Sequence, residues 1–230
     1  MRSCGLPEKS AESKPAAVCI GRGGARGLRS CVGAGILQGM VVNLAYAALR
    51  LAMGLQQESA WSAAVGVYHA SLGALRAYVF CCFLRCRGEE AVRCCRRVAV
   101  CLFLLNIPMS GMMALMVLED EGFSYPGYLI YAFALYTFYA MAVAVVNVIR
   151  FRRADDVLLF AVRALNLAAA MMSVLGLQTA MLARFSGGAV GYCRTMNALT
   201  GIGVLAGVTL LALWLLCCAG RVGKRGKNSA

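Results

Sequence analysis

Asn43, Tyr46 and Arg50 recur at intervals of three and four residues, and His69 and Arg76 stand seven apart, in stretches that are otherwise almost wholly apolar. At 100° per residue each set falls on one helix face. If the two faces meet, they form a polar seam of an amide, a phenol, two guanidiniums and an imidazole. Such a seam offers an anion site, or a proton relay through the chain's single histidine, the side chain that titrates near neutrality. The same arrangement also serves plain interhelical hydrogen bonding, typically about 0.6 kcal/mol per contact in membranes. Arg50, Arg76 and a third cation, Arg163, lie close enough to the ends of their apolar runs for long side chains to snorkel outward. His69, deeper in its run, cannot.

A second group follows from aromatic spacing. Tyr125, Tyr128, Tyr131, Tyr136 and Tyr139 fall within an arc of about 140° on one helix. The first two suit an interfacial belt, whereas Tyr136 and Tyr139 fall near the middle, where a hydroxyl needs a partner. The stripe is expected to face the helix bundle, as a pocket for an apolar or cationic molecule or as buried hydroxyl pairs. Asn166 joins this set as a polar residue beside Arg163 in another apolar run.

Other chemistries lack their residues. One histidine excludes an HExxH metal site, no GxSxG or GxxxxGK[ST] occurs, and Glu89-Glu90 with Arg93 has the wrong spacing for a prenyl-protease pair. Asp155 and Asp156 suit a helix N-terminus. Cys81, Cys82, Cys86, Cys94 and Cys95 match no zinc template and are expected to act as small hydrophobes. An enzyme is therefore disfavoured, and neither a metal nor a cofactor is expected.

The elements that must position these residues are set by composition. The chain has 230 residues, 61% hydrophobic and 14% charged, with a formal net charge of +13. Soluble domains are typically about 45–50% apolar and about 25% charged, so the sequence belongs to a membrane protein. Roughly 20 apolar residues cross a bilayer as a helix, and six runs qualify, at 32–55, 60–84, 98–118, 126–149, 157–183 and 196–219. None alternates with period two, so an all-α polytopic bundle is predicted rather than a barrel. Short links make spans one and two, and spans three and four, expected antiparallel neighbours. Asn106, Pro108 and Gly111 predict a kink in the third span. The residues around Gly33–Gly39 and the Gly203–Gly207 GxxxG spacing fit close helix approach or self-association. Asn43-Leu-Ala-Tyr-Ala with a later Gly54-Leu-Gln echoes Asn166-Leu-Ala-Ala-Ala with Gly176-Leu-Gln, hinting that spans one and five are related.

Lys and Arg are distributed 18 to 2 between the two sets of loops and tails, with three inside spans. Basic loops stay cytoplasmic, so both termini are expected inside, at the cell inner membrane. Residues 1–31 hold six basic residues and no apolar run long enough for a signal-peptide core, which predicts an uncleaved, disordered cytoplasmic tail. Residues 220–230 form a second basic cytoplasmic tail. The tails are expected to contact anionic lipid rather than nucleic acid, despite a short Arg-Gly tract at Arg22–Gly27. Eleven of the twelve cysteines avoid the outer loops, so no structural disulfide is expected.

At Gly122-Phe-Ser-Tyr-Pro-Gly-Tyr128, Ile130-Tyr-Ala, Tyr136-Thr-Phe-Tyr139 and Gly176-Leu-Gln-Thr-Ala-Met181 the chain resembles a group of uncharacterised bacterial multi-spanning, six-helix integral membrane proteins. The resemblance covers a little over the C-terminal half; it implies a bacterial inner-membrane location and no activity. Two functions remain open from sequence. One is a small transport or permease-like component built on the seam, the tyrosines and the third-span proline. The other is a non-catalytic interaction or sensory module that binds membrane-protein partners or a second copy of itself.

Overall fold

The computed structural model describes residues 25–86, 88–119, 127–150, 157–185 and 190–228. Among them are six helices: α1 (Ala25–Gln56), α2 (Ala60–Arg85), α3 (Glu89–Glu119), α4 (Gly127–Arg150), α5 (Val157–Phe185) and α6 (Val190–Asn228). All six contain segments long and apolar enough to cross a membrane. The surface is correspondingly apolar, with Val41, Leu104, Leu135, Phe138, Ile202 and Leu210 among its exposed side chains. Asn43, Arg50, His69, Arg76, Asn166 and Ser173 are inside. Polar groups inside and large apolar groups outside is the distribution that a lipid solvent selects.

Helix ends are set by local chemistry. The Ser59 side chain accepts a bond from the Ser62 N–H at 3.3 Å and caps α2, satisfying one of the orphan donors of a first turn. Glu58, at φ 51°, makes the preceding turn. Glu89 and Glu90 occupy the first turn of α3, where negative charge complements the helix dipole. Between Arg85 and Arg97, expected as one connection, α3 already begins at Glu89. Hydropathy marks where lipid begins, whereas the backbone turns only where a breaker such as Gly88 (φ 58°) permits it. Beyond that point Ala91, Val92, Cys94 and Cys95 bury against the core. The same reasoning lengthens α6 at both ends of the 196–219 span, carrying helix into the expected 220–230 tail. The helix of α1 likewise starts at Ala25 inside the expected 1–31 tail, whose first 24 residues lie outside the described set.

The α1 and α2 helices run antiparallel. In the α1–α2 hairpin, Gly54 meets Ala63 and Gly73 meets Leu44. The centre is α5, which packs on α2, α3, α4 and α6 and is buried through Ala161, Ala164, Leu165, Ala168, Ala169, Met172 and Leu175. Alanines leave neighbours room to approach closely. Spans three and four are not the neighbours their short link suggested: α4 packs on α5 through Ala140, Ala144 and Ala170, and α3 packs on α6. A short link joins two helix ends, but side-chain complementarity decides which faces meet. Asn106 Nδ2 donates to Leu205 O at 2.9 Å and Thr209 Oγ1 at 2.8 Å on α6. α3 stays helical through Pro108, and its asparagine serves the α3–α6 contact. In the GxxxG pair, Gly207 meets Met171 of α5 while Gly203 faces open space.

Candidate polar site between α1, α2, α4 and α5

The face of α1 that carries Asn43, Tyr46 and Arg50 meets the face of α2 that carries His69 and Arg76, and α4 adds Phe133, Tyr136 and Tyr139. The Tyr46 ring stacks on Tyr136, centroids 3.8 Å apart and 9° from parallel. The His69 ring stands edge-on to Tyr46 at 4.7 Å. Tyr136 Oη donates to Asn43 Oδ1 at 2.5 Å and lies 3.3 Å from His69 Nδ1. A phenol has one proton to give. With that proton on Asn43, the consistent assignment places a hydrogen on His69 Nδ1, which then donates to Tyr136 Oη. His69 Nε2 has no hydrogen-bond partner among the described residues.

Toward the α1–α2 turn, Arg50 Nε donates to Tyr46 Oη at 2.9 Å, and the guanidinium carbon sits 3.7 Å from the centroid of Phe133. A desolvated cation over an aromatic face gains about 2 kcal/mol, which offsets part of the insertion cost of an intramembrane Arg, about 2.5–3.5 kcal/mol. Gly176 of α5 makes room for this group: a Cβ there would lie 2.7 Å from Arg50 Nη2.

Toward the other end, Arg76 reaches α5, donating from Nη2 to Leu165 O at 3.4 Å. Its guanidinium lies over Gly39, where any Cβ would overlap Nη1. Arg76 Nε and Asn43 Nδ2 have no hydrogen-bond partner among the described residues. Asn166 of α5, with Oδ1 likewise unpartnered, joins Asn43, Arg76, Tyr136 and Tyr139 around a void of about 20 Å³. This void shares Tyr139, Val143 and Asn166 with a cleft of about 270 Å³ between α1, α4 and α5.

Eight of the nine expected residues thus line one continuous seam. Arg163 is the exception. Its guanidinium carbon lies 5.2 Å from the Phe160 ring, which packs edge-on against Trp214 of α6 at 5.6 Å. The tyrosine stripe also divides: Tyr136 and Tyr139 enter the seam, while Tyr128 and Tyr131 are exposed and Tyr125 lies outside the described residues. An arc of about 140° is wider than the face α4 gives to its neighbours. Asn43 and Asn166, the paired asparagines of the two similar segments, line the same void.

Sequence reasoning gave Gly39 a part only in close helix approach and Gly176 only in the echoed segment, and it missed Phe133 altogether. Gly39 had a signal, since it shares the face of Asn43, Tyr46 and Arg50. Gly176 shares one with Asn166 and Ser173. Phe133 carried none, because its role comes from a contact across helices. Among the described residues no three His, Cys, Asp or Glu side chains converge as a metal-ligand set. Cys82, Cys94 and Cys95 are packed in the core. No family model, curated protein or solved structure matches the chain, so the resemblance to bacterial membrane proteins gains no support from these comparisons.

Proposed function

We propose that the protein is a small transport or permease-like component of the inner membrane, with both termini cytoplasmic and the seam of Asn43, Tyr46, His69, Arg76, Tyr136 and Asn166 as its substrate path. One observation carries this reading: buried polar side chains from four helices continue into a cleft of about 270 Å³. A bundle held by packing alone has no use for a buried guanidinium lining a cavity. Ionisable groups at this depth are expensive and mark pathways or binding sites.

The test is accessibility to a membrane-impermeant thiol reagent. Single cysteines are placed in turn at Asn43, Tyr46, His69, Arg76 and Tyr139 in a chain whose twelve native cysteines are replaced. Labelling at Tyr139, Arg76 and Asn43 is expected, since these line the void and cleft. Protection at every position would overturn the path and favour the interaction or sensory module, to be pursued by capture of a membrane-protein partner. Wild-type flux in liposomes after changing His69 and Arg76 to Leu would remove both from the mechanism.

A further inference from the structure

We propose that Arg76 anchors a binding site for a small organic monoanion, a carboxylate on an apolar body, whose body lies in the cleft between α1 and α4; this names a substrate class for the path proposed above and rests on it.

Charge balance comes first. No Asp or Glu occurs in α1, α2, α4, α5 or α6, and α3 carries its three at its ends, Glu89, Glu90 and Glu119. Arg76 lies well inside α2, is 6% exposed and has no carboxylate partner among the described residues. A guanidinium does not lose its proton in proteins, so the helices around it supply a fixed positive charge and no counter-charge. An anion from outside the chain would complete the site.

The donors match a carboxylate. Arg76 Nε–H and Asn43 Nδ2–H are unpaired and belong to residues lining the void of about 20 Å³. A void of that size holds one water-sized group, the size of a carboxylate oxygen. A carboxylate accepts only, and the two unpaired donors belong to residues that line the void. A half-turn of the Asn166 amide, whose Oδ1 is unpaired, offers a third.

The cleft decides the rest of the ligand. Its walls are mostly apolar, with Val32, Ile36, Val146, Leu159 and Val162 beside the polar Gln38, Tyr139, Asn147 and Asn166, so an apolar body gains contacts there that a purely inorganic anion does not. At about 270 Å³ it falls just below the range for drug-sized ligands, about 300–1,000 Å³, which indicates a compact body. Arg76 is the one charged residue among the lining groups of void and cleft, which favours a single negative charge.

The probe is radiolabelled benzoate, bound by equilibrium dialysis to the full chain in nanodiscs of zwitterionic lipid. Saturable binding is expected, undisplaced by the uncharged isostere benzamide and only weakly displaced by chloride. Arg76→Gln should weaken it about tenfold or more, as loss of one partner of a buried charge pair does. Gly39→Ala keeps Arg76 and pushes its guanidinium aside, so it should weaken binding several-fold while the helical circular-dichroism signal stays wild-type; this variant decides the matter if Arg76→Gln fails to fold. Absent saturable binding, equal displacement by benzamide or chloride, or wild-type affinity in Gly39→Ala would overturn the site. Displacement of benzoate by phosphatidylglycerol in the discs would also overturn it, by making a lipid headgroup the occupant. Benzoate binding with every seam position protected from thiol reagent would keep the anion site and remove the permease. A labelled path without benzoate binding would do the reverse.

Discussion

Tyr136 joins three helices at a single oxygen. Its hydroxyl bridges Asn43 and His69 while its ring stacks on Tyr46, so the polar and aromatic contributions can be separated. Tyr136→Phe should cost about 0.6–1.7 kcal/mol, the range for hydrogen bonds between membrane helices. Tyr136→Ala, which also removes the stack and opens a cavity, should cost about 3–5 kcal/mol. Unfolding of the purified protein in mixed micelles reads both, and equal costs would mean that the hydroxyl bridge dominates. Arg50 poses a related question. Arg50→Lys keeps the charge but loses the planar stack on Phe133 and the Nε bond to Tyr46. A double-mutant cycle with Phe133→Leu should return a coupling of about 0.5–2 kcal/mol; a coupling near zero would show that the ring only fills space. At this scale the sequence was informative about which residues share a face, since Asn43, Tyr46 and Arg50 declare it by spacing. It was silent about partners such as Phe133 and Leu165 O, because those contacts depend on how helices far apart in the chain cross.

Helix pairing rests on small residues, and two glycines show how differently they serve. A Cβ at Gly54 would come within 2.7 Å of the Ala63 backbone nitrogen, whereas at Gly203 nothing lies within 4 Å. Backbone cannot swing aside as a side-chain tip can. Gly54→Val should therefore force α1 and α2 apart at a cost of about 1–3 kcal/mol, while Gly203→Ala should leave stability unchanged or slightly raised. Thermal unfolding of the two variants in one detergent checks the contrast, and a stable Gly54→Val with a damaged Gly203→Ala would reverse the assignment of packed and open faces. The six apolar runs located the helices because hydrophobic length is a local property. The pairing of α3 with α6 and α4 with α5 was not legible, because loop length constrains only ends. The helical start of α3 was hidden for another reason: Glu89–Arg97 is polar enough to read as a loop, yet Ala91, Val92, Cys94 and Cys95 bury against neighbours that only the assembled bundle supplies.

Across the whole molecule, charge asymmetry makes a prediction about direction. In the sequence, 18 Lys and Arg fall in the tails and connections at the start of α1, α3 and α5 and the end of α2, α4 and α6, against 2 in the other connections. Retention of such loops in the cytoplasm predicts the α1–α2 turn outside and the connection between α2 and α3 inside. Gln57 and Glu89 are exposed residues at those two turns, and neither has the positive φ that makes Glu58 and Gly88 poor places for a substitution. In a chain with its native cysteines replaced, Gln57→Cys should react with an impermeant maleimide in intact cells, and Glu89→Cys only after permeabilisation. The reverse pattern would invert the orientation and put the basic ends outside. Reaction of both in intact cells would show that α2 does not cross. The orientation matters for the anion site, because Arg76 and the cleft lie toward the basic end of the bundle. A monoanion drawn from the cytoplasm would meet the basic loops first, enter between α1 and α4 past Gln38 and Asn147, and reach Arg76 before the tyrosine and histidine layer. If the chain is inverted, the same charges would gather the anion from outside, and uptake rather than export would be the direction to measure.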